Sequence, residues 1–153
     1  MKPKIVFVVG HENWGKSHTL RFLTNGNWRV RSVRIGAEDF YIRRMSNDDR
    51  PDSYVEFMNS VSPQNKKLII AALCPNFERQ NAKTESILKS LNSKGYQLFF
   101  WVMQHQYGTE EQVKTEEIQR LKTHGTVELF SSAAEAKQRA ALLRTYIETR
   151  VVA

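Results

Sequence analysis

The feature of this chain that most constrains its fold is a glycine-rich segment between an apolar run and a helix-like segment. Residues 10–17 read GHENWGKS, which matches the pattern G-x-x-x-x-G-K-[ST] in full. The apolar run KIVFVV at residues 4–9 precedes it, and SHTLRFLT at residues 17–24 overlaps its end. A buried strand, a glycine loop and then a helix form the context that this pattern requires, so we predict a phosphate-binding loop.

The residue types in the loop predict its chemistry. Gly10 and Gly15 permit backbone angles that residues with a Cβ resist, so successive amide N–H groups can point at phosphate oxygens. The N-terminus of the following helix adds partial positive charge. Lys16 can reach the β- and γ-phosphates of a nucleotide as a catalytic cation, and Ser17 can bind Mg²⁺. The expected cofactor-binding residues are Gly10, His11, Asn13, Trp14, Gly15, Lys16, Ser17, His18 and Ser131.

Three side chains in the loop have roles that the sequence leaves open. Glu12 would be repelled by phosphates, so we expect its side chain to face away from them. His11 either orients an attacking water or only shapes the loop. Trp14 either covers the phosphates or packs on a neighbouring loop.

Length and composition restrict the class of protein. A chain of 153 residues predicts a single domain, residues 1–153, with a sizeable core. No apolar run approaches the roughly 20 residues of a membrane span, so we expect no membrane association. A strand at the N-terminus leaves no room for a secretory leader, and the single cysteine, Cys74, fits a reducing compartment, so we expect a cytoplasmic protein. The net charge of +7 permits an acidic partner such as nucleic acid, or merely a soluble basic surface.

Apolar patterning predicts six strands and five helices. The strands are expected at residues 4–9, 28–35, 40–45, 66–73, 96–103 and 126–130. The helices are expected at residues 16–25, 51–60 and 83–93, then from Thr109 to Gly125 and from Ser132 onward, with capping patterns at Ser53, Thr109 and Ser132. Residues 36–39 join the second and third strands in a hairpin. This alternation predicts an α/β fold, a three-layer α/β/α sandwich around a mostly parallel six-stranded sheet with one antiparallel edge strand.

The order of these elements, together with the complete phosphate loop, resembles the Ras-like small GTPases over essentially the whole chain. That family also runs strand, phosphate loop, helix, two-stranded hairpin, helix and three strand–helix repeats. The resemblance implies a P-loop NTPase fold that binds a nucleotide with Mg²⁺. The family's Ser-Ala-Lys-type loop after the last strand is matched in part by residues 131–133, which implies a nucleotide contact from Ser131.

Two motifs of that family are absent from this sequence. The D-x-x-G that would carry the Mg²⁺-linked aspartate is replaced by MSNDDRP at residues 45–51, which is acidic but lacks the glycine. The N-K-x-D that recognises guanine is replaced by QHQY at residues 104–107, which contains no carboxylate. We therefore expect ATP as the nucleotide, with GTP as the alternative.

The acidic loop after the hairpin is the candidate for the metal-binding role. The apolar run at residues 66–73 ends in Cys74-Pro75-Asn76 rather than in a carboxylate, so Asp48 and Asp49 are the remaining acidic candidates. We expect Asp48 and Ser17 to be the metal ligands and both aspartates to be catalytic. The alternative is a solvated turn, because turns favour Asn and Asp.

The hairpin region, residues 28–45, is rich in arginine and carries Trp28, Phe40 and Tyr41. Its arginines are Arg29, Arg31, Arg34, Arg43 and Arg44. Arginine beside aromatic rings suits a protein or nucleic acid partner. The alternative is an ordinary charged edge strand that resists sheet-to-sheet aggregation.

Together these features predict a Mg²⁺- and nucleoside-triphosphate-binding protein that is a slow NTPase or a nucleotide-dependent regulatory module. A partner arginine would speed hydrolysis, because added positive charge stabilises phosphoryl transfer. One alternative is a small-molecule or nucleotide kinase, which would transfer phosphate to an added acceptor. Another is a nucleic-acid-associated ATPase subunit, whose binding of DNA or RNA would depend steeply on salt.

Overall fold

The elements of the fold are taken from a computed structural model that describes residues 1–131 and 134–153. The strands are β1 (Lys4–Val9), β2 (Ser32–Ile35), β3 (Glu38–Arg43), β4 (Leu68–Leu73), β5 (Gln97–Met103) and β6 (Thr126–Phe130). The α-helices are α1 (Lys16–Leu23), α2 (Pro51–Ser60), α3 (Thr84–Ser93), α4 (Thr115–Lys122) and α5 (Ala136–Tyr146). A 3₁₀ turn, Gln80–Ala82, precedes α3, and a π-helical turn, Ile147–Val151, continues α5.

The strands form one sheet in the order β2-β3-β4-β1-β5-β6. Neighbouring strands are parallel, except that β2 and β3 pair antiparallel at one edge. Strand β1 pairs in register with β4 and β5 along its whole length, so the end of β1 lies at the centre of the sheet's carboxyl edge. The predicted α/β class, the mostly parallel sheet and the antiparallel edge strand are confirmed.

Two pairs of helices make the outer layers of the sandwich. Helix α1 packs against α5, and α2 packs against α3. The central strands are buried because they are continuously apolar, as in parallel strands covered on both faces. Phe99, Phe100 and Trp101 of β5 are buried in this core, as expected. Among the residues that the structure describes, no helix combines the length and the apolar character needed to cross a membrane.

Two of the predicted helix caps are wrong. Helix α4 begins at Thr115 rather than Thr109, because the segment before it forms a turn and a bridge between His105 and Gln112. The cap of α4 comes instead from Glu117, whose carboxylate accepts the Lys114 N–H at 2.9 Å. Ser53 also caps nothing, because α2 begins at Pro51 and the Ser53 hydroxyl accepts a hydrogen bond from Arg43.

The hairpin and the ends of two helices also differ from prediction. Strand β2 begins at Ser32 rather than Trp28, and β3 ends at Arg43. The turn contains two residues rather than four, since Ile35 pairs with Glu38. Helix α1 ends at Leu23, before positive φ angles at Asn25 and Gly26. Helix α5 begins at Ala136, and the predicted cap at Ser132 lies outside the described residues.

Candidate functional site

The glycine loop joins the end of β1 to the N-terminus of α1. Asn13 and Gly15 adopt left-handed backbone angles, with φ of 66° and 85°. A Cβ at Gly15 would lie 2.6 Å from Nη2 of Arg139, and one at Gly10 would lie 2.8 Å from Cε of Met103. Gly15 is therefore favoured by its left-handed conformation, whereas the close contacts at both glycines are to the ends of long side chains.

The loop lysine connects the glycine loop to the acidic segment after β3. Lys16 is buried, and its Nζ donates hydrogen bonds to the carbonyls of Gly10 and His11 at 2.7 and 2.9 Å. The same Nζ lies 3.8 Å from Oδ2 of Asp48. The lysine and the carboxylate predicted to serve one site are thus brought together at the carboxyl edge of the sheet.

The environment of Asp48 is unusual for a carboxylate. Its side chain is only 4 % exposed, and neither of its oxygens accepts a hydrogen bond from the described residues. Burial raises the pKa of Asp48, while the nearby charge of Lys16 opposes this shift. A buried carboxylate without donors is costly, because desolvation is not repaid by hydrogen bonds.

Asn47 holds the acidic segment in place. Its Nδ2 donates to the carbonyl of Cys74 at 3.2 Å and to the hydroxyl of Thr84 at 3.1 Å. Its Oδ1 accepts the N–H of Cys74 at 2.8 Å. Strand β4 lies between β3 and β1 in the sheet. The hydrogen bonds of Asn47 at the end of β4 therefore position the neighbouring Asp48 near the glycine loop.

Two adjacent cavities lie along the glycine loop. The loop cavity, of about 220 Å³, is lined by Asn13, Gly15, Lys16, Ser17, His18 and Asp49. The Tyr107 cavity, of about 280 Å³, is lined by Asn13, Trp14, Gly15, His18, Gln106, Tyr107, Glu135, Ala136 and Arg139. They share Asn13, Gly15 and His18, so one elongated ligand could occupy both.

Most of the expected site residues meet at these cavities. Ser17 and Asp49 line the loop cavity, whereas Asp48 lies behind Lys16. Trp14 is buried and lines the Tyr107 cavity. Ser131 is exposed directly after β6 and lines neither cavity.

His11 connects the glycine loop to its surroundings. Its Nε2 lies 2.8 Å from Oε1 of Glu117 on α4, and its Nδ1 lies 3.8 Å from the sulfur of Cys74. Cys74 and Glu117 raise the pKa of His11 to about 9, so the ring is charged at neutral pH. With both ring nitrogens engaged, this geometry favours a role in shaping the loop.

Arg139 is a site residue that sequence reasoning missed. It is 6 % exposed, and its Nε donates to the hydroxyl of Thr19 at 3.0 Å. Its two other nitrogens donate to the carbonyls of Gly15 and Ala134. A signal existed in the sequence, because Arg139 shares a helical face with the apolar residue Leu143, four positions further on.

No cluster of three or more His, Cys, Asp or Glu side chains within residues 1–131 and 134–153 could hold a metal ion. Mg²⁺ does not need such a cluster. It keeps several waters and commonly binds one or two carboxylates together with substrate phosphates. The single buried carboxylate of Asp48 beside the loop is therefore compatible with Mg²⁺ that arrives with a phosphate ligand.

Comparison with known proteins identifies the fold. No protein-family model matches the chain, and no curated protein matches it. A similar solved structure is the solution NMR structure of a de novo designed P-loop fold protein. The similarity covers 94 % of this chain and 92 % of the designed one, with a TM-score of 0.52 and 14 % identity. The chain therefore has a P-loop-like α/β fold.

Proposed function

We propose that this chain binds a nucleoside triphosphate together with Mg²⁺ at the loop cavity. The observation that supports this most strongly is the pairing of Lys16 with the buried carboxylate of Asp48, 3.8 Å apart at the end of β1. Ligands of open α/β sheets bind at this edge, outside the carboxyl ends of the strands. Amide N–H groups at the start of α1 and the lysine ammonium suit phosphate oxygens.

Ser17 and Asp48 would hold the Mg²⁺ ion. The hydroxyl of Ser17 lines the loop cavity, and the two oxygens of Asp48 lack donors among the described residues. When bound, the ion would neutralise charge on the phosphates. Asp49 lines the same cavity and is the second acidic candidate.

The base of the nucleotide would occupy the Tyr107 cavity. The side chain of Tyr107 is 52 % exposed, so its ring is accessible for stacking. We expect ATP, with GTP as the alternative. Glu135 also lines this cavity, so a carboxylate lies beside it although residues 104–107 contain none.

The proposed activity is slow hydrolysis or nucleotide-dependent regulation. His11, one candidate for activating water, is bound on both sides by Cys74 and Glu117. Because His11 is not free to act as a base, the chain itself would contribute nucleotide binding and the stabilisation of phosphate charge by Lys16. A partner arginine would then accelerate hydrolysis.

Calorimetry with Mg·ATP and Mg·GTP tests the proposal. Lys16→Ala removes a charge-assisted contact worth about 1.5–3 kcal/mol, so affinity should fall about 10- to 150-fold. Lys137→Ala, which removes an exposed charge on α5, is the matched control and should bind like the wild type. Circular dichroism verifies that each variant is folded. Unchanged affinity in a folded Lys16→Ala variant would refute the proposal.

A further inference from the structure

A third cavity, of about 250 Å³, lies at the carboxyl end of β3. Its lining residues are three arginines, two aromatic residues and two aliphatic ones, with no carboxylate among them. The arginines are Arg31, Arg43 and Arg44. We call it the arginine cavity. Its lining residues contain three positive charges and no negative charge that would compensate them.

Arg44 is a buried cation whose charge the described residues leave uncompensated. Its side chain is 8 % exposed, and Nη2 donates to the hydroxyl of Thr24 at 2.8 Å and to the carbonyl of Asn27 at 3.1 Å. Its buried Nε has no hydrogen-bond partner among the described residues, and Arg44 forms no ion pair with them. Burial lowers the pKa of Arg44, and the charge of Arg31 lowers it further. Burying a cation without an anion is costly.

The other arginines of the hairpin are engaged differently. Arg34 forms an exposed ion pair with Asp39 at 3.0 Å. Arg43 donates to the hydroxyl of Ser53 at 3.0 Å and packs over the ring of Phe57. Arg31 is exposed and lines the same cavity as Arg44, and neither forms an ion pair with the described residues.

Trp28 connects the arginine cavity to the glycine loop. Its ring lines the arginine cavity and meets the ring of His18 edge-on, with the centroids 5.9 Å apart. His18 lines the loop cavity. A ligand in the arginine cavity would therefore lie beside whatever the glycine loop binds.

We propose that the arginine cavity is a second anion site, which takes the terminal phosphate of a small phosphomonoester between Arg31 and Arg44. Guanidinium groups match phosphate oxygens with parallel charge-assisted hydrogen bonds. Arg31 is exposed, while Arg44 is fixed by its hydrogen bonds to Thr24 and Asn27. The site uses none of the residues that line the loop cavity, so it does not depend on the proposed nucleotide function.

The shape of the site favours a small ligand over nucleic acid. Non-specific binding of single strands uses an extended positive groove that follows the backbone, with successive stacking rings. Here Arg31 and Arg44 lie in one concave cavity with Trp28 among its lining residues. That arrangement fits one phosphate group better than a chain of them.

The three tryptophans provide separate reporters for a test by NMR spectroscopy. The indole of Trp28 reports on the arginine cavity, that of Trp14 reports on the glycine loop, and that of Trp101 lies in the core of β5. Inorganic phosphate, glycerol phosphate and a single-stranded oligonucleotide are titrated into the ¹⁵N-labelled full chain at constant ionic strength. Both phosphate probes should shift the Trp28 signal saturably, with Trp101 unchanged.

Variants distinguish binding at this site from non-specific attraction of anions to the basic protein. Arg31→Gln should weaken the Trp28 response at least about 10-fold, the loss expected for a charge-assisted contact. Arg34→Gln removes the same charge from the same hairpin outside the cavity and should leave the response unchanged. Lys16→Ala, which changes the glycine loop, should also leave the Trp28 response unchanged.

Three results would overturn the proposal. One is a Trp28 signal that does not move with either phosphate probe. Another is a response of equal strength in Arg31→Gln and the wild type. The third is a Trp28 signal that moves with the oligonucleotide alone, which would identify a nucleic acid surface instead.

Discussion

The carboxylate of Asp48 lies 3.8 Å from Nζ of Lys16, yet neither of its oxygens accepts a hydrogen bond from the described residues. Lys16 is itself held by two backbone carbonyls, so it only partly compensates the buried charge. Buried polar groups without partners and carboxylates with perturbed pKa values are enriched at functional sites. Asp48 should therefore reduce the stability of the unliganded protein and strengthen binding of a metal.

Asp48→Asn should stabilise the unliganded fold at neutral pH, because burial disfavours the charged carboxylate more than the nearby charge of Lys16 favours it. The folded state holds the proton of Asp48 to a higher pH than the unfolded chain does, since burial raises its pKa. Wild-type stability should therefore fall as the pH rises through and above the ordinary aspartate range, and the variant should lack this decrease. Urea unfolding between pH 4 and pH 7, roughly the range in which carboxylates titrate, measures both effects.

The same substitution should weaken the Mg²⁺ dependence of triphosphate binding and leave metal-free diphosphate binding nearly intact. Asp49→Asn is the comparison, because Asp49 is exposed and accepts hydrogen bonds from Ser46. Its effect on stability should be small. If neither variant alters the Mg²⁺ titration, both aspartates only form the turn.

The fold was largely predictable because its main signals are local. Buried parallel strands read as continuous apolar runs, as in β4 and β5, and Pro51 marks the first residue of α2. The lateral order of strands was not predictable in this way. Periodicity reports burial, but it does not report that β4 rather than β3 lies beside β1.

The candidate site was predictable where its residues are close in sequence. Spacing alone located the glycine loop, whereas Glu117 and Arg139 were missed. Glu117 lies 106 residues from His11, and Arg139 lies 120 residues from Thr19. The prediction of the α4 cap failed for a related reason. Thr109 and Lys114 each stand three residues before an amide or acid that can complete a cap, and only tertiary structure decides which of the two begins the helix.

The contacts of His11 with Cys74 and Glu117 predict a pH-dependent contribution to stability. The pKa of His11 is raised from 6.5 to about 9, so the folded state holds a proton that the unfolded chain releases earlier. The resulting stabilisation should be complete below about pH 6.5 and lost as the pH rises through about 9. Glu117→Gln should cost about 1.5–3 kcal/mol at low pH and clearly less at high pH.

Urea unfolding of both proteins at about pH 6 and about pH 10, on either side of this range, provides the measurement. Glu116→Gln is the control, because Glu116 is exposed in the same turn of α4. An equal loss at both pH values would show that Glu117 acts only as the cap of α4.

Arg139 should be the most sensitive residue of α5. Arg139→Met removes donors to the Gly15 and Ala134 carbonyls and to the Thr19 hydroxyl. The Gly15 carbonyl keeps two donors from Thr19, whereas the Ala134 carbonyl loses the donor that Arg139 supplies. We expect a loss of about 1–3 kcal/mol, the cost of one unsatisfied buried group. Lys137→Met, on the exposed face of the same helix, should change the free energy of unfolding little. Equal stabilities of the two variants in chemical denaturation would contradict this role.

The Tyr107 cavity predicts how the nucleotide base is chosen. Stacking on an aromatic ring is worth about 1–3 kcal/mol and tolerates any base. Tyr107→Ala should therefore weaken ATP and GTP by a similar factor, about 5- to 150-fold. Tyr107→Phe keeps the ring and should bind like the wild type.

Wild-type affinity for GTP should not exceed that for ATP, because residues 104–107 offer no carboxylate to the edge of guanine. Glu135 is the carboxylate among the described residues that line this cavity, so Glu135→Gln tests the exception. Thermal-shift titrations with both nucleotides measure all of these variants. A GTP preference above about tenfold, or about 1.4 kcal/mol, that disappears in Glu135→Gln would mean that the loop after β6 recognises guanine. A preference that survives this substitution would assign guanine recognition to another group and exclude the ATP interpretation.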